Sequence, residues 1–88
     1  MFKVNELYTG SYSDYDGIDR SYTFKVIKRT GKNVWLQKVS RTYNGGGAQV
    51  WSTEISEPVF RKKLELRANR DGELYELVWL DFFNLYSR

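Results

Sequence analysis

The sequence predicts an all-β domain, a small antiparallel barrel of roughly five or six short strands, SH3-like as first choice and OB-like as second. Three observations carry this. Runs with period-two alternation, rich in β-branched and aromatic residues, fill most of the chain. No stretch before the C-terminus follows the helical period of about 3.6 residues. The seven glycines cluster where turns are expected, and the single proline stands apart from them. At 88 residues, positions 1–88 make one domain with a modest core. Five Phe, seven Tyr and three Trp supply much of its buried area, because each ring can bury about 150–250 Å².

The elements follow in order. A first strand is expected at Phe2–Thr9, then a polar loop over Gly10–Arg20. Strands follow at Ser21–Arg29, Asn33–Tyr43, Ala48–Ile55, Val59–Ala68 and Glu73–Leu80. "RTGKN" turns the chain between the second and third of these. Tyr22, Phe24, Val26, Val34 and Leu36 then face inward. Taking Asp71-Gly72 as a two-residue hairpin turn sets Leu66 against Leu77, Leu64 against Trp79 and Arg67 against Glu76, the last a cross-strand ion pair. Centring "YNGGGA" on Gly45-Gly46 pairs Tyr43 with Ala48 and Ser40 with Trp51, placing Trp51 on the Leu36 side. The tail "WLDFFNLYSR" either extends the last strand or makes a short helical turn that plugs one end of the sheet.

Composition narrows the chemistry. The chain has no cysteine and no histidine, which removes disulfides, thiolate metal sites and the usual base near neutral pH. The expectation is a non-enzymatic protein without cofactor or metal, a toxin-type ribonuclease using Arg, Lys and Tyr being the exception. In "SDYDGIDR", Asp14, Asp16 and Asp19 do not fit a calcium loop, since Lys25 falls where the terminal Glu would stand. They read as turn residues. The carboxylate pairs Glu54/Glu57 and Glu73/Glu76 read as structural. Without an apolar run long enough to span a bilayer, the expectation is a soluble, cytoplasmic protein.

Charge is segregated. From Arg20 to Thr53 the chain carries Arg20, Lys25, Lys28, Arg29, Lys32, Lys38 and Arg41 without one Asp or Glu, although it has 11 acidic residues elsewhere. With the inward set fixed, the reverse face is expected to show Lys25, Ile27 and Arg29 beside Trp35, Gln37, Val39 and Arg41, with Lys32 at the hairpin tip. Cations that hold phosphates around a ring that stacks a base make a site for RNA or single-stranded DNA. The other readings are an acidic or nucleic-acid-binding protein partner, or an ordinary solvated face whose charges discourage aggregation. Net charge is only +3. Tyr12 and Tyr15, in the acidic loop, suit a protein-contact surface, and Arg61–Lys63 extend the basic surface or form a solvated strand end.

Tyr8 to Gln37, "YTGSYSDYDGIDRSYTFKVIKRTGKNVWLQ", resembles the start of small β-rich proteins encoded on phages and plasmids. Those read as an aromatic strand, an Asp-containing loop and then F-x-V-I-x-R-T-x-K-x-V, matched here by Phe24, Val26, Ile27, Arg29, Thr30, Lys32 and Val34. The resemblance implies a mobile-element origin and action in the host cytoplasm. It also implies that the chain could inhibit a host or defence protein, as anti-CRISPR proteins do. It assigns no site residues.

Overall fold

A computed structural model describes the backbone of residues 1–43, 49–53 and 57–87, and the side chains of 1–40 and 57–87. Every regular element among them is a strand: β1 (Leu7–Ser13), β2 (Asp19–Arg29), β3 (Asn33–Tyr43), β4 (Gln49–Thr53), β5 (Phe60–Lys63), β6 (Glu65–Ala68), β7 (Leu74–Trp79) and β8 (Asn84–Ser87). They form two antiparallel sheets. One runs β1-β2-β3-β4 with β5 also on β3, and the other runs β6-β7-β8. Strand β3 is the hub. One edge pairs with β2, while the other is shared by β5 along Asn33–Leu36 and β4 along Val39–Tyr43. Among the described residues no helix is long and apolar enough to cross a membrane.

The core lies between the sheets. Phe24, Val26, Val34 and Leu36 come from the large sheet, and Leu64, Val78 and Leu85 close over them. Tyr22, expected inside, is only partly buried against this cluster. Leu64 marks where the chain leaves one sheet for the other, and its N–H donates to the Lys32 carbonyl at 2.8 Å. The expected strand Val59–Ala68 is therefore two strands, and Leu66, of core parity, ends up exposed. The tail takes the strand option as β8.

The N-terminus departs most from expectation. Phe2 lies in no strand. It is almost wholly buried as a plug, and the chain turns back over Lys3–Glu6 with Asn5 at positive φ. Strand β1 continues through the expected loop as far as Ser13. Gly10 is a close-approach residue, because an added Cβ would run into the Phe83 ring. The turn belongs instead to Asp14–Ile18. There Asp14 accepts from the N–H groups of Asp16 and Ile18 and from Arg20 Nε, and Gly17 supplies the positive φ. Those bonds hold the Asp14 carboxyl below its ordinary range.

Both hairpin registers are one residue off the predicted ones. At Asp71-Gly72 the observed pairs are Glu65↔Leu77, Leu66↔Glu76 and Arg67↔Tyr75. Asn69 Oδ1 accepts from the N–H groups of Asp71 and Glu73, and Gly72 takes the left-handed position, so the loop has three residues between Asn69 and Glu73. Between β3 and β4 the pairs are Ser40↔Ser52 and Tyr43↔Gln49. Residues 44–48 and the Trp51 side chain lie outside the described set.

The predicted Arg67–Glu76 pair does not form. Arg67 meets Glu65 on the surface at 2.6 Å. Glu76, with its side chain only 8% exposed, takes a two-pronged bond from Arg29, Nη1 to Oε1 at 2.6 Å and Nη2 to Oε2 at 2.8 Å. Glu76 Oε1 also accepts the Phe2 N–H, while Arg29 Nη1 donates to the Phe2 carbonyl at 2.7 Å. One ion pair thus ties β2, β7 and the N-terminal plug. Arg29's hydrogen bonds hold the Glu76 carboxyl below its ordinary 4.5 against the opposing effect of burial, and the Phe2 N–H assists.

Three outcomes follow. Arg29→Met leaves a buried carboxylate unpartnered and lowers unfolding free energy in urea by about 3 kcal/mol. Adding Glu76→Leu recovers only part of this, since the Phe2 backbone groups stay unpaired. For pH, a carboxyl whose folded pKa lies below its unfolded value stabilises fully above the unfolded value, and loses that contribution as pH falls through the folded one. In Arg29→Met burial acts without the opposing guanidinium and raises the Glu76 pKa, so the stability gap to wild type begins to narrow above the ordinary 4.5 and is closed only below the lowered pKa of the wild type. Finally, Gly10→Ala forces the packed Phe83 ring aside and costs about 1–3 kcal/mol, read by thermal unfolding.

Candidate functional site

A β-bulge decides which cations reach the outer face of the β2–β3 hairpin. Register runs Lys25↔Gln37 and Val26↔Leu36, then skips Ile27 and resumes at Lys28↔Trp35 and Arg29↔Val34. The extra residue reverses the alternation for the rest of β2. Arg29 therefore turns to the side of buried Val34, where it meets Glu76. It is withdrawn from the face on which strict alternation placed it. Lys28 takes its place, with Nζ 4.7 Å from the centre of the Trp35 ring. The adjacent β-branched pair Val26-Ile27, which breaks the alternation, is the signal that marks this bulge.

Across β3, Trp35 stands opposite Arg61 of β5. One row therefore reads Lys28, Trp35, Arg61, a half-buried ring between two exposed cations. Lys25 and Gln37 form the next row, where Gln37 Nε2 donates to the Glu57 carbonyl at 2.9 Å. Lys32 is exposed at the tip of a turn in which Thr30 Oγ1 accepts from the N–H groups of Lys32 and Asn33. Among the described residues Lys25, Lys32 and Arg61 make no ion pair. Val39, expected on this face in the open, is buried beside Thr23. The Arg41 side chain lies outside the described residues, its backbone pairing with Trp51.

A second feature opens on the other side of the large sheet. Tyr12, expected in a loop, lies on β1 in a group of near-parallel rings. It stacks with Phe82 at 5.4 Å, Phe83 at 5.8 Å and Tyr22 at 6.3 Å, and Tyr22 stacks with Phe83 at 6.0 Å. Desolvation, then its hydrogen bond with Tyr22, pushes the Tyr12 hydroxyl pKa up. These rings border a cleft of about 510 Å³, floored by Phe24, Phe60 and Leu80 and rimmed by Lys38, Arg61, Lys62 and Asp81. Lys38 Nζ lies 4.9 Å from the centre of the Tyr22 ring and 3.9 Å from Glu57 Oε1. The signal for this group lay in the tail, where Phe82 and Phe83 follow a polar residue and need a partner surface. Tyr15 stands apart at the loop tip, fully exposed.

The outer face of the small sheet carries a third feature. Tyr75, Trp79 and Tyr86, with Arg67, Asn69 and Asn84, surround a depression of about 470 Å³ over Leu77. Hydrogen bonds from Trp79 and then Arg67 hold the Glu65 carboxyl below its ordinary range. Among the described residues no group of three or more His, Cys, Asp or Glu could hold a metal ion. No family model, curated protein or solved structure matches this chain.

Proposed function

We propose that this chain is a non-enzymatic module that binds RNA or single-stranded DNA on the outer face of β2, β3 and β5. The observation that carries the reading is the cross-strand row Lys28, Trp35, Arg61, with Lys25 and Lys32 beside it, neither in an ion pair among the described residues. Trp35 stacks a base and the cations hold the flanking phosphates. Lys28 over the indole is no obstacle. A cation–π contact at an exposed site is worth about 0.5–1 kcal/mol, against about 1–3 kcal/mol for a stacked base. The base displaces the ammonium, which moves to a phosphate. β1 approaches β8 and β5 approaches β7, which supports reading the two sheets as the walls of a partly open SH3-like or OB-like barrel.

A second reading has its own observation. The exposed Trp79 and Tyr86, with Tyr75 and Arg67, are the residue types enriched where proteins grip one another. On this reading the chain blocks a host or defence protein through the outer face of the small sheet. A partner retained from nuclease-treated host lysate by wild type, and lost with Trp79→Ala, favours it. Retention unchanged by that substitution counts against this surface.

The leading reading predicts binding of short single-stranded oligonucleotides in fluorescence anisotropy that weakens steeply with salt. Trp35→Ala costs about 1–3 kcal/mol of affinity. Lys28→Gln and Arg61→Gln each lower the slope of log affinity against log salt by about 1. Absence of binding at low salt rejects the reading.

A further inference from the structure

Beyond the outer face, we propose that the aromatic cleft is a second subsite, which takes one unpaired nucleobase on its ring stack and the attached phosphate on its cationic rim. The inference rests on the nucleic-acid reading and extends the path of the strand around the edge of the large sheet.

The rings are the first argument. Tyr12, Tyr22, Phe82 and Phe83 are stacked within 9° to 22° of parallel, whereas the Phe24–Phe60 pair beneath them is edge-on at 88°. The stack runs outward from the core: Tyr22 and Phe83 pack against the interior cluster, and Phe82 lies beyond it. Phe82 is 74% exposed, and the ring at the end of the stack meets water. Centroid spacings of 5.4 to 6.3 Å leave no room between these rings for another plane. A ligand ring therefore lies against the outer surface of the stack, where Phe82 is open. A base, being planar with a π-face on each side, suits that surface.

Charge is the second argument. Lys38, Arg61 and Lys62 border the cleft. Glu57 partly neutralises Lys38, and Asp81 stands on the same rim. Arg61 and Lys62 make no ion pair among the described residues. An apolar ligand would leave both cations unused, and a neutral planar one would use only the rings. A nucleotide uses both. The volume of about 510 Å³ falls within the range of about 300–1,000 Å³ typical of small-ligand sites.

Continuity is the third argument. Arg61 is the cross-strand neighbour of Trp35 and also lines the cleft. A strand held at Trp35 reaches the cleft by passing over the edge strand β5, and one guanidinium serves the phosphates at the crossing.

The test uses the full chain with a short oligoadenylate in anisotropy, and adenosine 5′-monophosphate and ribose 5-phosphate in amide NMR titrations. Phe82→Ala removes an exposed ring and weakens oligoadenylate binding about tenfold, and Lys62→Gln weakens it several-fold. Adenosine 5′-monophosphate shifts the amides of Phe82, Phe83 and Lys62, and ribose 5-phosphate leaves the two Phe amides in place. The subsite is overturned, with the outer face intact, if Trp35→Ala weakens the oligonucleotide while Phe82→Ala and Lys62→Gln stay within about twofold of wild type. A wild-type chain that binds no oligonucleotide at low salt removes the outer-face reading and the subsite together.

Discussion

The bond between Arg29 and Glu76 organises this small fold. A chain without disulfides holds two sheets face to face with few large apolar residues, and apolar contacts alone specify orientation poorly. The planar fork of Arg29 accepts one carboxylate geometry, and the same two side chains also hold both backbone groups of Phe2. Buried ion pairs add little net stability over apolar replacements of similar volume, but losing one partner is expensive. The pair's value is therefore positional. It fixes which part of β7 faces which part of β2.

The bulge at Ile27 is what allows that pair to form, and it reshapes the outer surface in the same step. One inserted residue sends Arg29 inward and Lys28 outward. The stabilising ion pair and the cation over Trp35 are thus two results of a single backbone irregularity. A regular β2 would lose both, leaving Glu76 without its partner and the indole without its nearest ammonium.

Much of the hairpin was legible in the sequence. Asn33–Tyr43 was read with its observed limits, and Phe24, Val26, Val34 and Leu36 were read as core, because alternation beside a short turn constrains both ends of a strand. The failures share a cause. The register at Asp71-Gly72 depends on Asn69, whose side chain closes the loop one residue earlier than the glycine suggests. Gly10 looked like a turn and is instead a gap for Phe83, a need created by residues far along the chain. Phe2 looked like a strand residue and is a plug, for the same reason. Of the expected site, Trp35, Lys25 and Lys32 stand on or beside the outer face, and Arg29 does not. Period-two counting cannot register an inserted residue, so it also hid Lys28. The ring group sets Tyr12 of β1 and Tyr22 of β2 against Phe83, just ahead of β8, and the tail's Phe82-Phe83 pair signals a need for cover without locating the partner.

The bond from the Phe2 N–H to Glu76 spans a sequence separation of 74 residues. During synthesis the Phe2 ring leaves the ribosome long before the carboxylate that will anchor it. Until β7 and β8 have emerged, that ring and the apolar face of the β2–β3 hairpin lack the cover that Val78 and Leu85 supply. The nascent chain is therefore most vulnerable to chaperone capture or to self-association while the large sheet is complete and the small sheet is still in the exit tunnel.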